Sequence, residues 1–161
     1  MMPHEPVLDV MRRTMANLEF IETHASSAGP FEITQLINSF LGAMAHPWEQ
    51  LKTDLDSIPI EEAISEGWPK LRKERSSDRE PSTLGELVRL LRNGIAHGNI
   101  DFHPDGQGRI AALRFVNKNK QDRRTWGAIV TPADMRQFLR QFVALVEAIA
   151  KDVSSSSGKA A

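Results

Sequence analysis

The sequence predicts a mainly α-helical domain that carries one small β-hairpin. Apolar residues recur at three- and four-residue steps in four long segments, which is typical of amphipathic helices, and two shorter segments alternate apolar and polar residues. The chain has 161 residues, about the size of one domain. We therefore expect a single domain over residues 6–152, built as a four-helix up-and-down bundle, and a disordered tail over residues 153–161.

The first two helices are predicted over residues 6–24 and 32–45. Met11, Met15 and Leu18 follow helical spacing in the first, and the small and turn-forming residues 25–30 end it. The second has a broader apolar face, made by Ile33, Leu36, Ile37, Phe40, Leu41 and Met44. Pro47 ends or kinks it.

The middle of the chain has a weaker pattern. Residues 58–68 suggest one or two short helical turns, and the charged stretch 70–81 contains few apolar residues. We expect this charged stretch to be a mobile loop.

The third and fourth long helices flank the predicted hairpin. Thr83 and Glu86 have the spacing of a capping box, and Gly98 is typical of a helix C-terminus. The alternating segments 109–117 and 124–131 then predict two strands joined by a six-residue loop. The last helix begins after Thr131, with Pro132 in its first turn.

Composition excludes several classes of site. Twenty Lys and Arg residues against 21 Asp and Glu give a net charge of −1, so any nucleic-acid site must be a local patch. The absence of cysteine excludes disulfides, thiolate zinc sites and thiol nucleophiles. No apolar run reaches the roughly 20 residues of a membrane span. We expect a cytoplasmic protein that needs no cofactor and has no membrane partner.

Polar residues gather at the end of the third long helix, where core packing does not require them. Asn93 and His97 share its solvent-facing side, with Arg89 beside Asn93. The helix dipole favours a positive charge on His97, and imidazole suits proton transfer near neutral pH. Arg92 offers a planar cation for a phosphate, and Asn93 can orient a hydroxyl, a phosphate oxygen or the imidazole. The set suits cleavage of a phosphodiester.

The angular separation of the two charged residues bears on assembly. Arg92 and His97 are about 140° apart around an ideal helix, so one helix cannot easily direct both at a single phosphate. Two copies related by a two-fold axis can bring both pairs into one cleft. The sequence therefore suggests a composite site in a homodimer.

The segment Arg92-Asn93-Gly94-Ile95-Ala96-His97 resembles the R-x4-H signature of the HEPN superfamily. The stretch FEITQLINSFLGAMAHP resembles the second helix of a plasmid- and phage-associated HEPN subgroup. The resemblance implies a four-helix core, an RNA substrate and metal-independent endoribonuclease activity in a dimer, with Arg92, Asn93 and His97 as catalytic residues. It also implies a toxin or phage-defence effector, with an antitoxin or neighbouring-gene product as a further partner.

Two features depart from the HEPN pattern. The hairpin is an insertion relative to a plain four-helix bundle. Asn99 stands where some HEPN toxins carry a tyrosine that a partner nucleotidyltransferase modifies, so this route of neutralisation is closed.

Three alternatives stay open at this point. Arg92 can be an ordinary exposed arginine and His97 a helix cap. His97, Asp101 and His103 have a loose metal-ligand spacing without an evident fourth ligand. A non-catalytic HEPN module that binds a nucleotide, RNA or a protein through the same cleft would also fit these residues.

Basic residues outside the motif are candidates for contact with RNA. The predicted substrate-binding residues are Arg89, Asn99, Lys118, Lys120, Arg123 and Arg124. A second basic cluster consists of Lys70, Arg72, Lys73 and Arg75. Acidic residues dilute both clusters, namely Glu74, Asp78, Glu80 and Asp122, so a solvated face is the alternative interpretation.

Overall fold

The computed structural model describes residues 5–24, 32–45 and 48–157, and these residues form six helices and four strands. The helices are α1 (Glu5–His24), α2 (Glu32–Ala45), α3 (Trp48–Asp56), α4 (Ile60–Ser65), α5 (Leu84–Ala96) and α6 (Pro132–Ser157). The strands are β1 (Arg72–Lys73), β2 (Ile100–Pro104), β3 (Ile110–Lys118) and β4 (Arg124–Val130). The turn predicted at 25–30, Pro47 and the last four residues lie outside the described residues.

The helices that periodicity predicts are present, and the fold is mainly α. α1, α2 and α6 pack on one another, and α2 also contacts α5. α6 continues to Ser157, into the segment where the sequence predicts a tail. α3 is a nine-residue helix that the sequence pattern does not predict, and it packs against α5. In the part of the chain that the structure describes, no helix has the length and apolar character needed to cross a membrane.

One apolar core joins the helices to the sheet. Phe40 on α2 is fully buried and makes edge-to-face contacts with Phe115 on β3 and Phe138 on α6, at centroid distances of 6.1 and 5.5 Å. Trp68 packs against Phe138 in the same geometry at 4.9 Å. Such pairs add to the free energy gained by burying aromatic surface. The sheet is therefore part of the core.

The predicted hairpin is confirmed, but the expectation that the β-structure consists of this hairpin alone is wrong. β3 and β4 pair in antiparallel fashion, β2 adds to β3 and β1 adds to β4, which gives a four-stranded sheet in the order β1-β4-β3-β2. The two strands that the sequence does not predict, β1 and β2, are the edge strands of the sheet. β1 has two residues, and β2 has four exposed residues after Ile100, so neither shows the alternating burial that identifies a strand in sequence.

The charged stretch 70–81 differs from the mobile loop that its composition predicts. Asp78 has a side chain that is only 4% exposed, and it accepts hydrogen bonds from Arg124 Nε at 3.1 Å and Arg124 Nη2 at 2.6 Å. Arg124 also donates to Glu74, and Arg114 Nε donates to Glu74 Oε1 at 2.7 Å. Acidic residues of this stretch thus bind arginines of β3 and β4.

These contacts change the acidity of the carboxyl groups. Burial alone would raise the pKa of Glu74, but the hydrogen bonds from Arg114 and Arg124 outweigh it and hold the pKa below its ordinary value. Burial alone would also raise the pKa of Asp78. Hydrogen bonds from Arg124 and from the Arg75 backbone N–H outweigh this effect, so the pKa of Asp78 is lowered. Both groups therefore stabilise the folded state in their ionised form.

We predict that Asp78→Asn lowers the free energy of unfolding by about 3 kcal/mol at neutral pH, because Arg124 loses a buried ionic partner. The folded protein lowers the pKa of Asp78 below its ordinary 3.8. The stabilisation by ionised Asp78 is therefore complete above pH 3.8, and it is lost as the pH falls through the folded-state pKa. The variant should therefore lose less stability than the wild type on acidification. Urea unfolding across an acidic pH series measures both effects.

Asp122→Asn is the matched control for this experiment, because the Asp122 side chain is 84% exposed and pairs with Lys118 at the surface. Its pH profile should follow that of the wild type. Equal acid sensitivity of the wild type and Asp78→Asn would contradict the prediction.

Candidate functional site

The N-terminus of α5 confirms the capping signal in the sequence. Thr83 Oγ1 accepts a hydrogen bond from the Glu86 N–H at 3.1 Å. Glu86 Oε2 accepts from the backbone N–H and the hydroxyl of Ser82, at 2.8 and 2.9 Å. The bond to Thr83 satisfies a donor that the first turn of a helix leaves free, and the Glu86 side chain reaches back to Ser82, the residue before the N-cap. The cap sets where α5 begins and thus where its motif residues lie.

The C-terminus of α5 is a Schellman turn that contains the candidate histidine. His97 is the C-cap, Gly98 N–H donates to Ile95 O at 3.2 Å, and Asn99 N–H donates to Gly94 O at 2.8 Å. Gly98 has φ +66°, the left-handed conformation that glycine adopts without strain. His97 is exposed at this turn.

The same turn is packed directly against the sheet. A Cβ at Gly94 would lie 3.2 Å from Phe115 Cδ1 and 3.6 Å from Val116 O, so α5 approaches β3 closely here. Val116 N–H donates to Asn99 O at 3.0 Å, and Ile100 pairs with Phe115 in the next step of the register. This antiparallel register brings the turn to the Lys118 end of β3.

Asn93 lies differently from its predicted position on the solvent-facing side. It is half-buried, and its Nδ2 donates to Asn117 Oδ1 at 3.3 Å. Asn117 Nδ2 in turn donates to Thr125 Oγ1 on β4 at 2.6 Å. The predicted solvent-facing position did not include this contact, because helical phase places a side chain relative to its own helix and cannot reveal a neighbouring sheet.

The other motif residues differ in exposure. Arg92 is half-buried on α5 and takes part in interactions of its own. His97 makes no side-chain hydrogen bond with the residues that the structure describes. Its imidazole is therefore open to a substrate or to a second copy of the chain.

Three of the predicted substrate-binding residues line one open groove of about 340 Å³, namely Asn99, Lys118 and Arg124. Arg75, Asp101 and Arg114 line it as well, and so does Gly98. Arg114 could have been found from the strand pattern, because it is two positions from Val116 and four from Lys118 on the same face of β3. No sequence signal brings Arg75 to this groove.

The remaining predicted substrate-binding residues lie elsewhere. Lys120 and Arg123 are exposed in the loop between β3 and β4. Arg89 is exposed on α5, where its Nη2 is 3.6 Å from Glu86 Oε1. None of these three lines the groove.

The metal-ligand candidates His97, Asp101 and His103 lie on the turn after α5 and on β2. Asp101, one of the loosely spaced metal-ligand candidates, accepts a hydrogen bond from Arg114 Nη1 at 2.7 Å instead. Among residues 5–24, 32–45 and 48–157, no group of three or more His, Asp or Glu side chains is placed to hold a metal ion.

A protein-family model described as HEPN pEK499 p136 matches residues 1–152. The match covers nearly the whole chain. The chain belongs to this HEPN family. No curated protein and no solved structure gives a significant match.

Family membership suggests a nuclease or an RNA-binding module. HEPN domains are commonly ribonucleases or RNA-binding modules, and the mainly helical fold agrees with HEPN membership. In this HEPN chain, the turn containing His97 lies beside a groove with several cations, at the end of the sheet where β3 and β4 join.

We predict that Gly98→Ala destabilises the protein by about 1 kcal/mol, because an L-residue at φ +66° is strained. Gly42→Ala is the matched control. Gly42 lies in α2 and is exposed, and the Cβ of an alanine there would meet no neighbouring atom within 4 Å. Gly42→Ala should therefore stabilise the folded protein by up to about 1 kcal/mol. Urea unfolding of both variants gives the two differences, and a stabilising Gly98→Ala would contradict the assigned turn.

Proposed function

We propose that this chain is a metal-independent HEPN endoribonuclease, acting in the cytoplasm as a toxin or defence effector. The observation that carries the proposal is an exposed His97, held in the terminal turn of α5 five residues after Arg92, in a chain of a HEPN family. An antitoxin or a neighbouring-gene product would restrain such an activity.

The proposal includes a composite site in a homodimer. Arg92 and His97 are about 140° apart around an ideal helix, so the proposed two-fold axis runs near the C-terminal ends of the two α5 helices. In this arrangement α1, α2, α5 and α6 form the four-helix up-and-down core of each protomer. The cleft then contains Arg92 and His97 from both copies.

The proposed chemistry uses the 2′-hydroxyl of RNA as the nucleophile. Its oxygen bonds to phosphorus and the bond from phosphorus to the 5′-oxygen breaks, while a proton leaves the 2′-oxygen and another reaches the 5′-oxygen. His97 serves as general base or general acid in these proton transfers. Arg92 stabilises the negative charge that develops on the phosphate oxygens.

Asn93 has a positioning role in this proposal. Its amide binds Asn117, which binds Thr125, so the last turn of α5 is linked through two side chains to β3 and β4. This linkage holds the helix end that carries Arg92 and His97 against the rigid sheet. If the helix end were loose, the rate of RNA cleavage would fall, because a catalytic group displaced by about 1 Å transfers a proton poorly.

We expect the wild type to cleave RNA in excess EDTA and to leave 2′,3′-cyclic phosphate and 5′-hydroxyl ends, while DNA survives because it lacks the 2′-hydroxyl. His97→Ala should lower the rate by about 10²–10⁴-fold, the usual cost of losing a general acid–base group. Arg92→Lys should also lose most activity, since an ammonium does not reproduce the planar guanidinium. Gel analysis of end-labelled single-stranded and structured RNAs measures all three.

His103→Ala is the matched control, because His103 is an exposed histidine on β2, six residues away. It should retain wild-type activity. A requirement for a divalent metal, or activity that persists in both His97→Ala and Arg92→Ala, would overturn the nuclease proposal. RNA binding without cleavage would identify a non-catalytic HEPN module.

The composite site makes a second prediction about assembly. Wild type should sediment as a dimer at micromolar concentration, and inactive Arg92→Ala and His97→Ala proteins should recover cleavage when mixed and allowed to exchange. The mixed dimer has one intact Arg92 and one intact His97 in the shared cleft. A monomer, or mixed dimers without activity, would contradict this arrangement.

A further inference from the structure

The groove beside the His97 turn lies on the face of the sheet that points away from α5. Side chains of β3 alternate, so Phe115 and Asn117 face α5, and Arg114 and Lys118 face the groove. Gly98, the residue after His97, also lines the groove. A ligand strand leaving the proposed cleavage site therefore meets this groove next.

Two of the arginines in the groove are already bound by carboxylates. Arg124 forms ion pairs with Glu74 and Asp78. Arg114 forms ion pairs with Glu74 and Asp101, each with an N–O distance of 2.7 Å. The two guanidinium charges therefore face three carboxylate charges, from Glu74, Asp78 and Asp101, so neither arginine has an uncompensated positive charge. We therefore assign Arg114 and Arg124 a structural role, and the groove does not present a broad positive field.

Arg75 and Lys118 differ from these two arginines. The Arg75 backbone N–H donates to Asp78 Oδ2 at 2.9 Å, which holds the main chain in place. The exposed Arg75 guanidinium attracts the Asp78 carboxylate electrostatically, but it forms no direct ion pair with a carboxylate among the described residues. Lys118 Nζ pairs with Asp122 at 3.0 Å, but Asp122 is 84% exposed. Such a surface pair contributes little to stability, so a phosphate can replace it.

We propose that Arg75 and Lys118 bind one backbone phosphate of single-stranded RNA, next to the phosphate that is cleaved. The choice of RNA rests on the proposed function. The size of the groove, about 340 Å³, is at the lower end for ligand sites and suits one nucleotide unit better than a duplex. With only two available cations, the groove positions the strand and does not attract nucleic acid over long range.

The test measures binding of a labelled single-stranded RNA by full-length protein with His97→Ala, which keeps the RNA intact. Fluorescence anisotropy over a salt series gives the affinity and its salt dependence. Arg75→Gln and Lys118→Gln should each weaken binding about fivefold at roughly 0.1 M salt and reduce the slope of log K against log salt by about 0.7. Both changes should be larger for a single strand than for the matching duplex.

Arg109→Gln is the matched control, because Arg109 is an exposed arginine paired with Asp105 in the turn between β2 and β3, away from the groove. It should bind RNA as the parent does. Circular dichroism should show that all three variants are folded. Unchanged affinity and slope in the double variant Arg75→Gln/Lys118→Gln would overturn the groove assignment.

Failure of this inference is distinguishable from failure of the proposed function. If the groove variants weaken binding but wild type does not cleave RNA, the groove assignment stands and the nuclease proposal fails. If wild type cleaves RNA and the double variant cleaves it with an unchanged KM, the nuclease proposal stands and the groove assignment is wrong.

Discussion

The contact between the last turn of α5 and strand β3 is the one on which the rest of the structure depends. Gly94 has no side chain, so the helix lies against Phe115, and Phe115 in turn fills the core beside Phe40. The hydrogen bond from Val116 N–H to Asn99 O continues this contact into the sheet. Because close-packed interiors do not tolerate gaps or overlaps, this contact sets both the helix position and the start of β2.

The same contact explains why the candidate site draws on distant parts of the chain. The Schellman turn presents His97 at the surface, while Asn93 is bound to Asn117 on the sheet. The end of β3 and the start of β4 then bring Lys118 and Arg124 to the neighbouring groove. A rigid sheet below the helix end is the kind of support that a catalytic group requires.

The ion pairs on the outer face of the sheet show how a charged surface acquires a structural role. Glu74 and Asp78 lie in a segment whose composition predicts a solvated, mobile loop, yet they form ion pairs with Arg114 and Arg124 on the sheet. Buried ion pairs gain little net stability, since desolvation offsets most of the attraction. Their effect here is to attach residues 74–78 to β4, which keeps Arg75 beside the groove.

The sequence by itself determined the four long helices, the capping of α5, the central hairpin and the position of His97 at a helix end. Each of these depends on periodicity, capping or turn residues within a few positions along the chain. Only the tertiary structure decided that β1 and β2 complete a four-stranded sheet, that Asn93 binds Asn117, and that Arg124 is held by Asp78, 46 residues away. These contacts join segments whose separation along the chain hides them from local patterns, because edge-strand pairing and ion pairs form only once the core has brought the segments together.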